Sequence, residues 1–580
     1  MSDPIVLFES HRKGASFRFC DPCDTICVSH PEDVGPALDR IERAVHSGLH
    51  AAGFFSYEAA SGLDPVLKTH VPGDFPLMWF GLFRHRENIP AETPNGRNYD
   101  LGAWRPSISR SAYDAALNRI RDLIIAGDTY QVNYSFRLRA NFSGNSLGFY
   151  RDLCRAQRTD YAAYLDIGRF QILSASPELF FALKNGTLTT RPMKGTAPRG
   201  RWWKEDKARA KQLQKSQKDR AENVMIVDLL RNDLGRVSKA GSVKVPALWH
   251  VEHYETLLQM TSTVTSRMRH DLRLRELVTA LFPCGSVTGA PKVRTMEIIK
   301  EVEQAPRGIY TGSIGYLSPG GDMAFNVAIR TVRIDRKTGI AEFGVGSGIT
   351  CDSSSDGEYE ECLTKARLLA DQQPAFDLFE TLRYDGKNGF FLLNRHIGRI
   401  ESSARYFGFA FDRSSVLSAL KNAVSNLGKS PHRVRLVLSR NGCVQVETAP
   451  LKKTSQNRAL SACISPLPVD SRDPLLFHKT TRREPYTSRL DMYPMCEEII
   501  LINERGEATE CSIGNLVAKL DGLYVTPPIS CGLLGGTFRA KLMSRGKLTK
   551  RVLKVNDLKR AEALYMINSV RKWTRLKLVD

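Results

Sequence analysis

Apolar residues recur at helical spacing through 111–127, "SAYDAALNRIRDLIIAG", and a glycine closes the run, which predicts a helix. The same period predicts helices over 204–234, 270–281 and 291–303, and another over "GEYEECLTKARLLADQ". Before residue 110 the pattern differs. Short apolar runs such as "PIVLFES", "AAGFFSYEAA" and "FPLMWFGLF", separated by turns, read as strands with sparse helices. Further strands are expected at "YQVNYSFRLRA", "GRFQILSAS", "GIYTGSIGYL", "MAFNVAIRTVRID" and "GIAEFGVGSGI". Near Gln372–Pro374 the pattern starts afresh as strand, turn, strand, helix in "QPAFDLFETLRYDGKNGFFLLNRHIGRIESSARYFG". A chain of 580 residues exceeds what one core holds, so two domains are expected, 1–372 and 375–580, joined by a short linker. No internal repeat or low-complexity segment interrupts them.

Charge widens the possibilities before chemistry narrows them. With 83 basic and 62 acidic residues the net charge is +21, which suits nucleic acid, an acidic membrane surface or small anionic substrates. No apolar run reaches the roughly eighteen residues of a membrane span. The opening "MSDPIVLFESHRKG" lacks a basic stretch followed by a long apolar one, and twelve scattered cysteines read as reduced thiols, so a cytoplasmic location is expected. Cys20, Cys23, Cys27 and His30 have a spacing that could hold zinc, yet Pro22, Thr25, Ile26 and Val28 read as a loop entering a strand. Residues 199–220 carry nine basic against three acidic residues and two tryptophans. That composition fits a single-strand binder, a solvated helix face or a docking surface for another subunit. No nucleic-acid partner is expected, because the run lies between two motifs that carry chemistry.

Those motifs begin with acids. Asp219 and Glu222 are three apart on one predicted helix, and Glu358 and Glu361 repeat the spacing on another, so each pair shares a face. They are two solvated faces, or, if the helices face each other, four carboxylates that repel unless a cation lies among them. Oxygen ligands of this kind suit Mg2+. The glycine-rich stretches "PCGSVTGAPK" (283–292) and "GVGSGI" (344–349) are plain turns or loops whose amides cradle an anion. Arg330, ending a strand, and Lys365 would add positive charge for a dicarboxylate.

In order along the chain, "SPELF", "RPMKGTAPRG", "AENVMIVDLLRNDLGRV", "CGSVTGAPKVRTMEII", "RGIYTGSIGY", "VAIRT" and "EYEECLTKA" resemble the chorismate-utilising enzymes over roughly residues 1–370. The resemblance implies an α/β sandwich with large antiparallel sheets, Mg2+ and chorismate as substrate. Within that group "P-x-K-G-T", with Gln131 and Gln259 at two further positions, is similar to the aminodeoxychorismate synthases; an anthranilate synthase-like domain is the alternative. The resemblance implies that the Lys194 amine attacks C2 of chorismate, that Glu178 protonates the departing C4 hydroxyl, and that ammonia then attacks C4 and expels the lysine from C2. It further implies Glu222 and Glu361 as direct Mg2+ ligands, Asp219 and Glu358 acting through water, and Arg330, Tyr310 and the segment Gly346, Ser347, Gly348 holding carboxylates, with Lys365 and Thr288 assisting. Nothing resembles a glutaminase, so ammonia is expected from a separate glutamine amidotransferase subunit. "LFES" near the start hints at an amino-acid effector pocket.

The later part, through "FETLR", "HIGRI", "LLFHKTTRREPY", "LLINERGEATECSIGNLVAK", "CGLLGGTFRAKL" and "LYMINSVRKW", resembles the fold-type IV pyridoxal-phosphate enzymes, and among them 4-amino-4-deoxychorismate lyase. The overall class is therefore α+β: a chorismate-utilising sandwich followed by a fold-type IV α/β domain. This second resemblance implies pyridoxal 5′-phosphate on Lys479, Glu510 at its ring nitrogen, Arg399 with the Gly536–Thr537 backbone at its phosphate, and help from Asn568–Ser569. It also implies a homodimer through the C-terminal domain. Gly535 and Arg482 depart from the usual pattern. Branched-chain or D-amino-acid aminotransferases, or a vestigial module, are the alternatives for this domain.

Overall fold

The computed structural model describes residues 4–11, 14–89, 98–369, 376–451 and 458–579. The expected domain boundary at Gln372–Pro374 lies outside the described residues. The chain separates into two units: Met1–Arg199 with Ala210–Gln373, and Gly200–Arg209 with Pro374–Asp580. The ten residues 200–209 thus leave the first unit and return to it, an excursion with no sign in the sequence.

The first unit holds an eleven-stranded and a ten-stranded sheet, both antiparallel throughout the described residues. Residues alternate between faces, so each sheet buries one side against the other or against helices. Phe8, Phe19, Phe54, Phe83 and Ile314 fill one core cluster, while Leu7, Tyr113, Phe136, Phe149 and Phe343 fill another under helices. The longest ladder joins Gln131–Gly144 to Ile340–Ile349, ten residues in unbroken register from Ile340↔Asn141 to Ile349↔Val132.

The helix expected over 111–127 spans Arg110–Ile125, with the Ser109 hydroxyl accepting from the Ala112 amide. The single helix expected over 204–234 is two, Trp203–Lys215 and Gln217–Val237. Ser216 breaks the run, because its side chain takes the Asp219 amide and starts the second helix afresh. A serine likewise starts the other acid-bearing helix, Ser355–Ala366, where Ser354 accepts from the Gly357 amide. A full helix at Val34–His46 stands where mainly strands were expected.

The second unit has a four-stranded antiparallel sheet and an eight-stranded mixed sheet. In the mixed sheet Leu460–Ile464 runs parallel to both Glu498–Ile502 and Lys572–Leu578. Trp202 from the 200–209 segment stacks on Phe477 at 5.0 Å, and the Tyr406 hydroxyl donates to the Gly200 carbonyl at 2.6 Å. Both tryptophans of the basic run are thereby drawn into apolar clusters of this unit. No described helix is long and apolar enough to cross a membrane.

Cys463 and Cys496 are paired, against the expectation of twelve reduced thiols. In the amino-terminal cysteine group, Cys20 lies 3.7 Å from Glu87, Cys23 donates to the Leu82 carbonyl, and Cys27 stands on the strand Asp24–Val28.

Candidate active sites of the two units

Lys194 lies on the edge strand Met193–Pro198, which pairs with Leu257–Arg267. Met193 is opposite Thr261 and Thr196 opposite Gln259, so Lys194 and Gly195 together face the single residue Met260. This bulge turns the lysine off the ladder and toward the helix Gln217–Val237. Gly195 has φ +90°, and a Cβ there would meet the Asp219 Cβ at 2.9 Å, so the strand can approach the helix only with glycine at this position. Gln259 fastens the bulge by donating to the Gly195 carbonyl at 2.9 Å, and Asn223 donates to the Lys194 carbonyl at 3.4 Å.

Burial lowers the Lys194 pKa; Lys365 lowers it further, while Glu222, Glu361 and Glu178 oppose that shift. These four groups therefore surround one ammonium. Burial likewise raises Glu222, reinforced by its like-charged neighbours Asp219 and Glu358 and countered by Lys194 and Lys218. Glu222 thus feels Asp219 on its own helix and Glu358 on the other, and Lys194 feels both Glu222 and Glu361; carboxylates in such positions are the oxygen donors a hard divalent cation takes. Glu361 also pairs with Lys365 at 2.7 Å, and Glu358 accepts from Ser353 at 2.7 Å.

Glu178 is buried, and burial pushes its carboxyl up to about 7, although the Ser286 hydroxyl donates to it at 2.7 Å. At neutral pH it therefore retains a proton much of the time. Tyr310 lies flat against glycines: a Cβ on Gly344 would meet its ring at 2.1 Å, and one on Gly346 its hydroxyl at 3.0 Å. Arg137 covers the ring at 5.2 Å.

The strand expected at "GIAEFGVGSGI" is present, and its reading as an anion-cradling loop is corrected, as is the placement of Arg330. The "GVGSGI" segment is part of the strand Ile340–Ile349, with Gly346 opposite Ser135 and Gly348 opposite Asn133. Its pairing with Thr331–Asp335 ends at Phe343, so a free edge rather than a loop carries the available amides. Arg330 does not end a strand. It stands at φ +52° in the bend between Met323–Val327 and Thr331–Asp335, which belong to different sheets, and donates to the Lys365 carbonyl. Thr288 is fully buried, and its hydroxyl donates to the Cys284 and Gly285 carbonyls at 3.3 Å each, so it shapes the turn.

In the second unit Lys479 follows the buried Phe477 and His478, with its ammonium 4.4 Å from the Phe379 ring centre. Burial, with Arg399 and Arg483 adding to it, brings its pKa down to about 7 against the pull of Glu380 and Glu510. Arg399 is held by the buried Glu380, which accepts from its Nε and Nη2 at 2.7 Å each, and its Nη1 donates to the Gly535 carbonyl. His396 bonds Glu380 through Nδ1 at 2.6 Å and Thr537 through Nε2 at 3.2 Å. Glu510, pushed up to about 7 by burial, accepts from Tyr486, Asn515 and the Leu534 amide. Gly536 precedes the helix Thr537–Ser544, and a Cβ there would meet Asn515 Oδ1 at 1.9 Å. Asn568 and Ser569 turn to backbone carbonyls, Ile513 and Thr381.

Comparison with known proteins follows the same division. The chorismate binding enzyme family matches residues 3–371, and the amino-transferase class IV family matches residues 377–579. The first match covers more than half the chain. The chain belongs to the chorismate binding enzymes. It is 44% identical over 267 residues to aminodeoxychorismate synthase component 1 of Salmonella typhimurium, covering 46% of this chain and 58% of that protein. It is 38% identical over 283 residues to anthranilate synthase component 1 of Aquifex aeolicus, 49% of this chain and 56% of that protein. The crystal structure of anthranilate synthase component I from Streptococcus pneumoniae superposes with TM-score 0.54 at 30% identity, covering 61% of this chain and 92% of that one. The chain spans less than two thirds of the length of the curated relatives it matches.

Among chorismate binding enzymes the motifs draw attention to acids and the lysine, and they pass over the residues that position these groups. Ser286 sits inside a glycine-rich motif and Asn223 beside the metal-type acids, but neither spacing signals a bond to Glu178 or to the Lys194 backbone. Gln131 is buried with both amide atoms unpartnered, and its Nε2 stands 2.2 Å from where a Gly348 Cβ would be. The Lys194 ammonium stands 2.9 Å from that same point. Gly348→Ala therefore displaces both side chains, and turnover of the first site is expected to fall about a hundredfold with little change in melting temperature, as steady-state rates would show. A cavity of about 1150 Å³ lies elsewhere in this unit, with Phe8, Glu9 and Ser10 of "LFES" in its wall.

Proposed function

We propose that the protein makes 4-aminobenzoate in two stages, aminating chorismate in the first unit and releasing pyruvate from 4-amino-4-deoxychorismate in the second. The observation that carries this reading is Lys194, an amine turned inward by a bulge, with its pKa lowered among Glu178, Glu222 and Glu361. A neutral amine in that place is a nucleophile for C2 of the ring. As its bond to C2 forms, the C4 hydroxyl departs with the proton of Glu178, and water leaves. Ammonia then bonds to C4 as the C2–N bond breaks, and the lysine is restored. Ser286 fixes the Glu178 carboxyl for that transfer. Glu222 and Glu361 would hold Mg2+ directly, with Asp219 and Glu358 through water; the ion supplies positive charge beside the substrate carboxylate. Arg330, Lys365 and Tyr310 flank the same space. The relatives' designation as component 1 supports ammonia delivery by a separate subunit.

In the second unit the buried residues fit pyridoxal 5′-phosphate. Lys479 would hold the aldehyde, Glu510 the ring nitrogen, and Arg399 with the amides opening the Thr537 helix the phosphate. When bound, the group supplies an electron sink. Lys479, with its pKa near neutrality, moves the proton, while Tyr486 and Asn515 fix Glu510 and the apolar wall at Phe379 excludes water.

The test is incubation of purified protein with chorismate, Mg2+, ammonium and pyridoxal phosphate. Release of 4-aminobenzoate and pyruvate without added lyase is expected. The likeness to anthranilate synthases supports a second reading, and 2-aminobenzoate as the product would establish it in place of the first.

A further inference from the structure

Away from both sites, a buried carboxylate lies where an apolar residue belongs. Along the strand Ile5–Ser10, Leu7 and Glu9 share a face, and Leu7 packs in the cluster with Tyr150, Leu153 and Cys154 of the helix Ser146–Gln157. The Glu9 side chain, only 10% exposed, therefore points under that helix, and its Oε2 has no hydrogen-bond partner. Just beyond the strand, His11 Nε2 is also buried and unpartnered, 3.7 Å from Glu9 Oε2. Cys154 is fully buried. The carboxylate oxygen, the imidazole nitrogen and the Cys154 sulfur all lie within 4.8 Å of one another. Buried polar atoms without partners are rare and call for an explanation.

A salt bridge does not supply one. At 3.7 Å the Glu9–His11 approach is too long for a hydrogen bond. An imidazole, a carboxylate and a thiol are instead a borderline-soft donor set. Bonds of roughly 2.0–2.3 Å to a tetrahedral ion put ligand atoms roughly 3.3–3.7 Å apart. The Glu9–His11 separation already has that value. The His11 side chain is a quarter exposed, which leaves an entry path.

We propose that Glu9, His11 and Cys154 bind one zinc ion that ties the first strand to the end of the Ser146–Gln157 helix. The fourth position is left to water or to the Tyr150 hydroxyl, which faces both Cys154 and Glu9. The thiol proton leaves to solvent as the sulfur binds the metal. This ion is distinct from one held by the four carboxylates, whose ligands are all oxygen.

Cobalt separates the two. Full-length protein is stripped with chelator and titrated with Co2+, and the thiolate-to-cobalt charge-transfer absorption is followed. A band saturating at about one equivalent is expected. It should vanish in His11→Ala and Cys154→Ala, persist in Cys20→Ala, Cys23→Ala and Glu222→Gln, and require at least about tenfold more metal in Glu9→Gln. Zn2+ should raise the melting temperature of the wild type and not of His11→Ala. Because Cys154 is in the core, its variant could fail to fold; the partly exposed His11 keeps the test decisive. Absence of the band in the wild type, or its survival in His11→Ala, overturns the proposal.

Discussion

Lys194→Ala lowers amination of chorismate by at least about a thousandfold, while the pyridoxal-phosphate absorbance of the protein is retained. A thousandfold loss is about 4 kcal/mol of transition-state stabilisation, the scale expected when a covalent nucleophile is removed rather than a binding contact. Folding should survive, because Lys194 is only partly buried on an edge strand. Lys194→Arg should not rescue the rate, since a guanidinium stays charged where a neutral amine is needed. Rate measurements with ammonium as nitrogen donor isolate this step from any partner subunit. Amination within threefold of wild type would show that the lysine forms no bond to substrate.

Lys479→Ala has the second large effect. Pyruvate release should fall by at least about a thousandfold, and 4-amino-4-deoxychorismate should accumulate when chorismate, Mg2+ and ammonium are supplied. The visible absorbance of protein-bound pyridoxal phosphate should disappear or shift to that of the free aldehyde. The reason lies in the surroundings of this amine: burial and Arg399 bring it to about pKa 7, so a lysine is available neutral at physiological pH. Amination by the first site should be unchanged, which chromatography of the products would confirm. If pyruvate still forms at the wild-type rate, the second unit works through a different residue.

Much of this site was legible because its signals are local. Asp219 with Glu222 and Glu358 with Glu361 needed only helical spacing, whereas the helix start at Ser216 was passed over within one expected helix. The motif order gave the family resemblance, and with it Lys194, Glu178, Lys479 and Glu510. Spacing could not give the partners supplied from afar. Ser286 reaches Glu178 across 108 positions, and Gln259 reaches the Gly195 carbonyl across 64. The strand at "GIAEFGVGSGI" was legible, but that "GVGSGI" pairs within it rather than forming an anion-cradling loop was not, because its register is set by a partner two hundred residues earlier.

The sequence by itself pointed to a two-part organisation, to the acid-bearing helices and to Lys194 and Lys479 as candidate reactive lysines, since periodicity and motif order act over a few neighbouring residues. Only the tertiary structure decided that a bulge at Lys194–Gly195 aims the amine, that Thr288 is used by its own turn, that residues 200–209 join the second unit, and that Glu9, His11 and Cys154 meet. Each of these depends on strand register or on burial between segments far apart in the chain. Those contacts become favourable only when the whole sheet excludes water, so no local pattern encodes them.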